Sequence, residues 1–316
     1  MRTPRQSGLG RVRCLIDANA KYTEYLKRAL PCAELDGLRI VVDYANGAAY
    51  RCAPTLLREM GADVYAIGVD PSGHNINRNF GALASAAMIR AMREHDAHLG
   101  IAFDGDAVRV GIADETGSLV TSDQILGLYA QTWSESGRLA GGGIVGTVNS
   151  NSGLEHYVRA RGLGFIRSNA GDHHLVRTMQ AHGMNLGGEH SGHFVFRDAL
   201  ATSDGFLAAL QVASLLAHSR SPASTLLRVF MPLPQLFIDA PLREAHYGSY
   251  DEAIEALRKL QRQLNRSGRV VVRRSRTEPV IRVVVEAESQ ATVCDLAKEV
   301  TAKLLDVSNV QINAAE

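Results

Sequence analysis

Between Leu38 and Phe103 the chain alternates short apolar runs with helical patterns, and that order leaves few folds open. Leu38-Arg-Ile-Val-Val-Asp43 is β-branched and reads as a buried strand. It ends in Tyr44-Ala-Asn-Gly47, a turn by its Asn-Gly pair, and a helix is expected from Ala49 to Met60, stopped by Gly61. A strand over 64–69, a loop at Pro71-Ser-Gly-His-Asn-Ile-Asn77, a helix over 83–94 and a strand over 99–103 follow. Strand, helix, strand, helix, strand implies parallel pairing through crossover helices. In such sheets ligands gather outside the carboxyl ends of the strands.

A helix over 17–30 precedes this unit, and one over 122–136, with Asp123 in its first turn, closes it. After Gly141-Gly-Gly143 the alternation restarts: strand 144–148, helix 153–161, strand 164–166, helix 175–182, strands near 184–186 and 193–196, and an apolar helix over 204–218. Ser219-Arg-Ser-Pro-Ala-Ser224 marks a change of order. Beyond it come a strand (235–238), a helix (250–264), two hairpin strands (269–273 and 280–286) and a helix (290–305). The expected fold class is α/β, with consecutive α/β units over residues 1–138 and 139–224 followed by an α+β unit over 225–316 with an antiparallel sheet.

Bulk properties exclude several partners. A formal net charge of +1 offers no basic stripe for nucleic acid or an acidic membrane surface. The basic N-terminus leads into no apolar h-region, and no stretch approaches a membrane span, so a cytoplasmic setting is expected. Cys14, Cys32, Cys52 and Cys294 form no Cys-x-x-Cys pair and read as free thiols.

Three loops carry chemistry. In Asp104-Gly-Asp106 two carboxylates two residues apart can point to one side, with Gly105 letting the backbone bend between them. Hard oxygen anions at the carboxyl end of a buried strand suit Mg²⁺, although the same triplet also marks ordinary turns. In Gly187-Gly-Glu-His-Ser-Gly-His193, Glu189, Ser191 and His193 alternate outward as a set of partners for sugar hydroxyls; a polar surface turn is the alternative. In 272–282, Arg273, Arg274, Arg276 and Arg282 surround Ser275 and Thr277 in a turn closed by Pro279. Guanidinium forks, hydroxyls and turn N–H groups make a phosphate cradle by composition, against the alternative of a basic surface turn. His173, His174, His182, His190 and His193 fit no compact zinc pattern, and Gly171-Asp172 reads as a helix start rather than a catalytic acid, although the two are compatible.

In this order, with Ile40-Val-Val-Asp-Tyr-Ala-Asn-Gly-Ala48, Pro71-Ser-Gly-His-Asn-Ile-Asn77, Ser122-Asp-Gln-Ile125 and Gly146-Thr-Val-Asn-Ser-Asn151, these loops resemble the α-D-phosphohexomutase superfamily over nearly the whole chain. Within it the bacterial phosphoglucosamine mutases are most similar, enzymes that interconvert glucosamine 6-phosphate and glucosamine 1-phosphate with Mg²⁺. The resemblance implies four domains around one cleft, the chain matching the second, third and fourth. It assigns Asp104 and Asp106 to the metal, Arg109 to catalysis, Glu189, Ser191 and His193 to the sugar, and Arg273, Ser275, Thr277 and Arg282 to phosphate. The implied ligand is a hexosamine phosphate.

The resemblance also brings departures. Nothing in residues 1–37 resembles the family's phosphoserine loop, so the expectation is a truncated relative without mutase activity alone that retains sugar-phosphate binding. A partner protein covering the face of the first domain is part of that expectation. The alternatives are an active mutase whose remaining domain comes from another chain, or a degenerate gene product. The family's Asp-Gly-Asp-Gly-Asp-Arg reads Asp104-Gly-Asp-Ala-Val-Arg109 here, which replaces a carboxylate by Val108 and implies a weak or lost Mg²⁺ site. Asn169 and His173 stand where the family has lysine and arginine, and Arg276 where it has glycine.

Overall fold

The first β-branched run becomes Arg39–Asp43 (β1), buried along nearly its whole length in a five-stranded sheet. A computed structural model describes residues 14–30, 34–219, 221–241, 249–263, 268–275 and 280–308. β1 pairs in parallel with Asp63–Ile67 (β2) on one side and Leu99–Phe103 (β3) on the other, as the alternation requires. Val110–Asp114 (β4) and Leu119–Val120 (β5) then turn back antiparallel, giving the order β2-β1-β3-β4-β5. The helices Ala18–Ala29 (α1), Cys52–Glu59 (α2) and Ala86–Glu94 (α3) belong to this unit, with a short 3₁₀ turn at Ala48–Tyr50 ahead of α2.

The second sheet repeats the scheme with four strands. Gly143–Thr147 (β6) runs parallel to Gly164–Ser168 (β7) and Leu186–Gly188 (β8), and Phe194–Phe196 (β9) returns antiparallel at the edge. Ser152–Ala160 (α5) and Asp172–Ala181 (α6) are its crossovers. Gly205–His218 (α7) is apolar almost all round because it is buried on most sides, and it packs against β3 and β4 of the first sheet. A single apolar core therefore runs from Leu26 through Phe103, Tyr129 and Phe206 to Leu227.

Ser122–Glu135 (α4) departs from the expected division at 138. Thr121 opens it with a capping box, its hydroxyl accepting from the Gln124 amide while the Gln124 side chain accepts from the Thr121 amide. The helix so started packs on α5 and β8, so it belongs with the second sheet. The expected division at 224 falls inside the short helix Ala223–Leu226 (α8).

The last unit has its own core, from Ile238 to Leu304. Gln235–Pro241 (β10), Gly268–Arg274 (β11) and Val280–Ala287 (β12) form an antiparallel sheet in the order β10-β12-β11, with Ser249–Gln263 (α9) and Gln290–Ser308 (α10) beside it. Among the described residues no helix is long and apolar enough to cross a membrane. Cys14, Cys52 and Cys294 are free; Cys32 lies outside the described residues.

Candidate functional site

Two loops from two sheets meet at the start of β4. The turn after β3 closes when the Asp104 carboxylate accepts the Arg109 amide at 2.9 Å. Ala107 sits there at φ 59°, a left-handed conformation that costs a side-chain-bearing residue about 1–2 kcal/mol. The loop between β8 and β9 docks on the same spot. The Val110 amide donates to the Gly192 carbonyl at 3.1 Å, and a Cβ on Gly192 would lie 2.6 Å from the Val110 carbonyl oxygen. Only glycine fits that approach, and its φ of 91° suits no other residue. The docking brings Arg109 Nε within 3.4 Å of His193 Nε2.

The hairpin of β11 and β12 faces this junction. Arg109, Glu189, Ser191, His193, Arg273, Ser275 and Arg282 line one cavity of about 700 Å³, with Asn149, Asn169, Asp172 and His174 completing its wall. The residues read as a sugar set and those read as a phosphate set thus share a hollow. Asp104 is half-buried and Asp106 exposed; neither lines the cavity, and Arg109 is the link between them and it. Thr277, with Arg276, lies outside the described residues.

Electrostatics inside the cavity follow from burial. Glu189 is 8% exposed, and burial, reinforced by nearby Asp172, pushes its carboxyl from 4.5 up to about 7. Its Oε1 accepts the Gly171 amide at 3.0 Å, which together with Arg273 and Arg109 limits the rise. Burial lowers the His193 imidazole, and its Nδ1 meets the Ser191 hydroxyl at 2.8 Å. Arg273 and Arg282 lie directly opposite each other across β11 and β12, a like-charge pairing that disfavours itself. Burial and then Arg282 lower the Arg273 pKa, and its buried Nε has no hydrogen-bond partner among the described residues. An anion between the two guanidiniums would relieve both conditions.

Asp172, expected as a helix start, also lines the cavity. It begins α6, behind Gly171 at φ 115°, and its carboxylate comes within 4.8 Å of ligand atoms of Glu189 and His193. The helix start and a place in the site are compatible, as the sequence reading allows. His190, by contrast, turns away from the cavity: its Nδ1 is 3.2 Å from Asp123 and its ring stacks on Phe237 at 4.5 Å.

The donor set near Asp104 can be tested against Mg²⁺. Asp104 and Asp106 supply carboxylate oxygens, while Val108 puts an apolar branch beside them and donates its amide to Asp106 at 3.4 Å. Mg²⁺ often takes one or two protein carboxylates and keeps its waters, so the pair fits a largely hydrated ion.

Comparison with known proteins follows the three units in order. The families described as phosphoglucomutase/phosphomannomutase α/β/α domain II, α/β/α domain III and C-terminal domain match residues 20–117, 121–233 and 243–303. Phosphoglucosamine mutase of Rhodospirillum centenum is 48% identical over 298 residues, covering 93% of this chain and 63% of the relative; that of Phenylobacterium zucineum is 45% identical, covering 95% and 67%. The chain thus spans about two thirds of the length of these relatives. A Burkholderia thailandensis phosphoglucomutase/phosphomannomutase family protein superposes with a TM-score of 0.78 at 23% identity, over 92% of this chain and 66% of that one. Aspergillus fumigatus N-acetylphosphoglucosamine mutase, solved with GlcNAc-6P and magnesium, superposes with a TM-score of 0.70 at 21% identity, over 90% and 69%. On matches that follow the three units in order along the chain, it belongs to the phosphohexomutase superfamily.

Proposed function

We propose that this chain binds a hexosamine phosphate in the shared cavity as the substrate-gripping part of a phosphoglucosamine mutase-type cleft. The single observation that carries the reading is that Glu189 and Arg273 line the same hollow of about 700 Å³. In this reading Glu189, Ser191 and His193 hold sugar hydroxyls, and Arg273, Ser275 and Arg282, with Thr277, hold the phosphate. Arg109 sits between the sugar set and the carboxylates of Asp104 and Asp106, suited to a phosphoryl group at the other end of the sugar. Asp104 and Asp106 would hold Mg²⁺, which supplies charge neutralisation at that phosphoryl group. The related A. fumigatus enzyme, solved with a sugar phosphate and magnesium, supports a ligand of this class. The setting proposed is the cytoplasm.

The family's reaction interconverts glucosamine 6-phosphate and glucosamine 1-phosphate. We assign this chain binding without turnover of its own, because Val108 removes a carboxylate where preorganised charge is worth several kcal/mol to a transferring phosphoryl group. Titration calorimetry with glucosamine 6-phosphate is expected to show binding that Arg273→Ala weakens on the order of tenfold or more. A coupled assay with glucosamine 1-phosphate, Mg²⁺ and a hexose bisphosphate activator is expected to show no turnover. Unchanged affinity in Arg273→Ala sinks the phosphate assignment, and robust turnover sinks the inactive reading. The second reading, a working mutase completed by a partner protein that carries the phosphoserine, is favoured by the retained Glu189, Ser191 and His193. Turnover that appears only on adding such a polypeptide would establish it.

A further inference from the structure

The arginines of the phosphate set belong to a unit whose core is separate from the one beneath the sugar loop. Each buried apolar cluster among the described residues stays on one side of that division. Apart from the His190 ring on Phe237, the junction is polar and gathers on the Val148–Asn151 loop between β6 and α5 and on Ser152 at the start of α5. Arg269 on β11 donates Nη1 to the Val148 carbonyl and Nη2 to the Ser150 carbonyl, each at 2.8 Å. Glu286, opposite Arg269 on β12 and 2% exposed, accepts Arg269 Nε at 3.1 Å and the Ser152 amide at 3.0 Å. Gln235 donates to the Asn149 carbonyl at 3.1 Å, and Asn151 exchanges two hydrogen bonds with the Leu233 backbone. From β7, Arg167 donates to the Thr147 and Ser150 carbonyls and braces the loop from below.

Register ties this junction to the cleft. Arg269 pairs with Glu286 and Arg273 pairs with Arg282, so the two cross-strand pairs are four residues apart on one face of the same hairpin. Val148 and Asn149, at the gripped loop, line the cavity, whereas Arg269 and Glu286 do not.

We infer that Arg269 and Glu286 are positioning residues: their clamp on the β6–α5 loop sets the span between the arginine pair and the sugar loop. The inference rests on the cleft reading above. A ligand that touches only the hairpin is indifferent to that span; one that touches both ends depends on it. If the clamped pose falls to about a tenth of the molecules, the apparent affinity of a two-ended ligand falls about tenfold.

The test compares inorganic phosphate with glucosamine 6-phosphate by calorimetry, and follows hydrogen exchange at the Ser152 amide. The variants are Arg269→Ala and the swap Arg269→Glu/Glu286→Arg. The swap keeps an ion pair within the hairpin but sets a carboxylate against the loop carbonyls and a guanidinium against the Ser152 N–H. In both, phosphate affinity should stay within about twofold, glucosamine 6-phosphate should weaken about tenfold, and Ser152 exchange should quicken. Equal loss of both probes means a merely structural role and overturns the inference. So does unchanged glucosamine 6-phosphate affinity alongside faster exchange. If the parent chain binds phosphate but no glucosamine 6-phosphate, the cleft reading fails on its own. The clamp is then judged by small-angle scattering: a larger radius of gyration in Arg269→Ala supports it, and an unchanged one overturns it.

Discussion

Glu189 carries an energetic cost that identifies it as a residue kept for something other than stability. A carboxyl raised to about 7 in the folded chain from 4.5 favours its neutral form. That contribution is fully present below about pH 4.5 and is lost as pH rises through about 7, a difference of roughly 3 kcal/mol. Glu189→Gln keeps an oxygen for the Gly171 amide and removes the titration. Urea unfolding should therefore find the variant level with the parent near pH 4.5 and more stable by roughly 3 kcal/mol at pH 8. A constant offset between the two pH values would mean that the carboxyl is not held up by its surroundings. The bridge to ligand binding is direct: a sugar hydroxyl and a nearby guanidinium would replace the water that Glu189 has given up.

At the scale of elements, what was legible depended on whether the determinants are local. The β-branched run before Asp43 and the Asn-Gly turn after it announced a parallel strand and its crossover, because pattern and turn chemistry lie within a dozen residues. The Thr121–Gln124 capping box is equally local, but which sheet α4 packs on is set by its distant contacts with α5 and β8. The Glu189 loop and the arginine hairpin, which line one cavity, stood out because each packs its polar groups into one short motif. Asp172 and the Arg269 clamp did not, since their partners arrive from distant positions, Arg269 reaching Ser150 across 119 residues. The β3–β4 turn is the element where sequence and geometry meet most directly. Ala107 holds φ 59°, a backbone conformation that glycine adopts freely, and Val108 follows it between Asp106 and Arg109. Val108→Asp adds a third carboxylate beside Asp104 and Asp106 and should raise Mg²⁺ affinity on the order of tenfold or more in calorimetry. No gain would show that these carboxylates do not converge on a cation.

For the whole molecule, the decisive fact is that the first two sheets share one core while the third has its own. Shared apolar burial makes elements melt together, whereas a junction of a few hydrogen bonds to one loop and one ring contact, His190 on Phe237, couples its two sides only weakly. The cleft lies across that weak junction, so its closure and the stability of its two halves are linked through whatever spans it. The single tryptophan, Trp133, lies 4% exposed in the larger core, against Phe196 and beneath Arg138. Its fluorescence therefore reports the larger unit alone, while far-ultraviolet circular dichroism sums helices from both. In urea the two probes should trace different transitions, the dichroism beginning to change before the fluorescence as the smaller unit melts first. A ligand gripping both sides stabilises the closed pair by mass action, so saturating glucosamine 6-phosphate should draw the curves together. Coincident curves without ligand would mean that the polar junction binds the units into one cooperative body, and the clamp would then be part of a single fold rather than a joint.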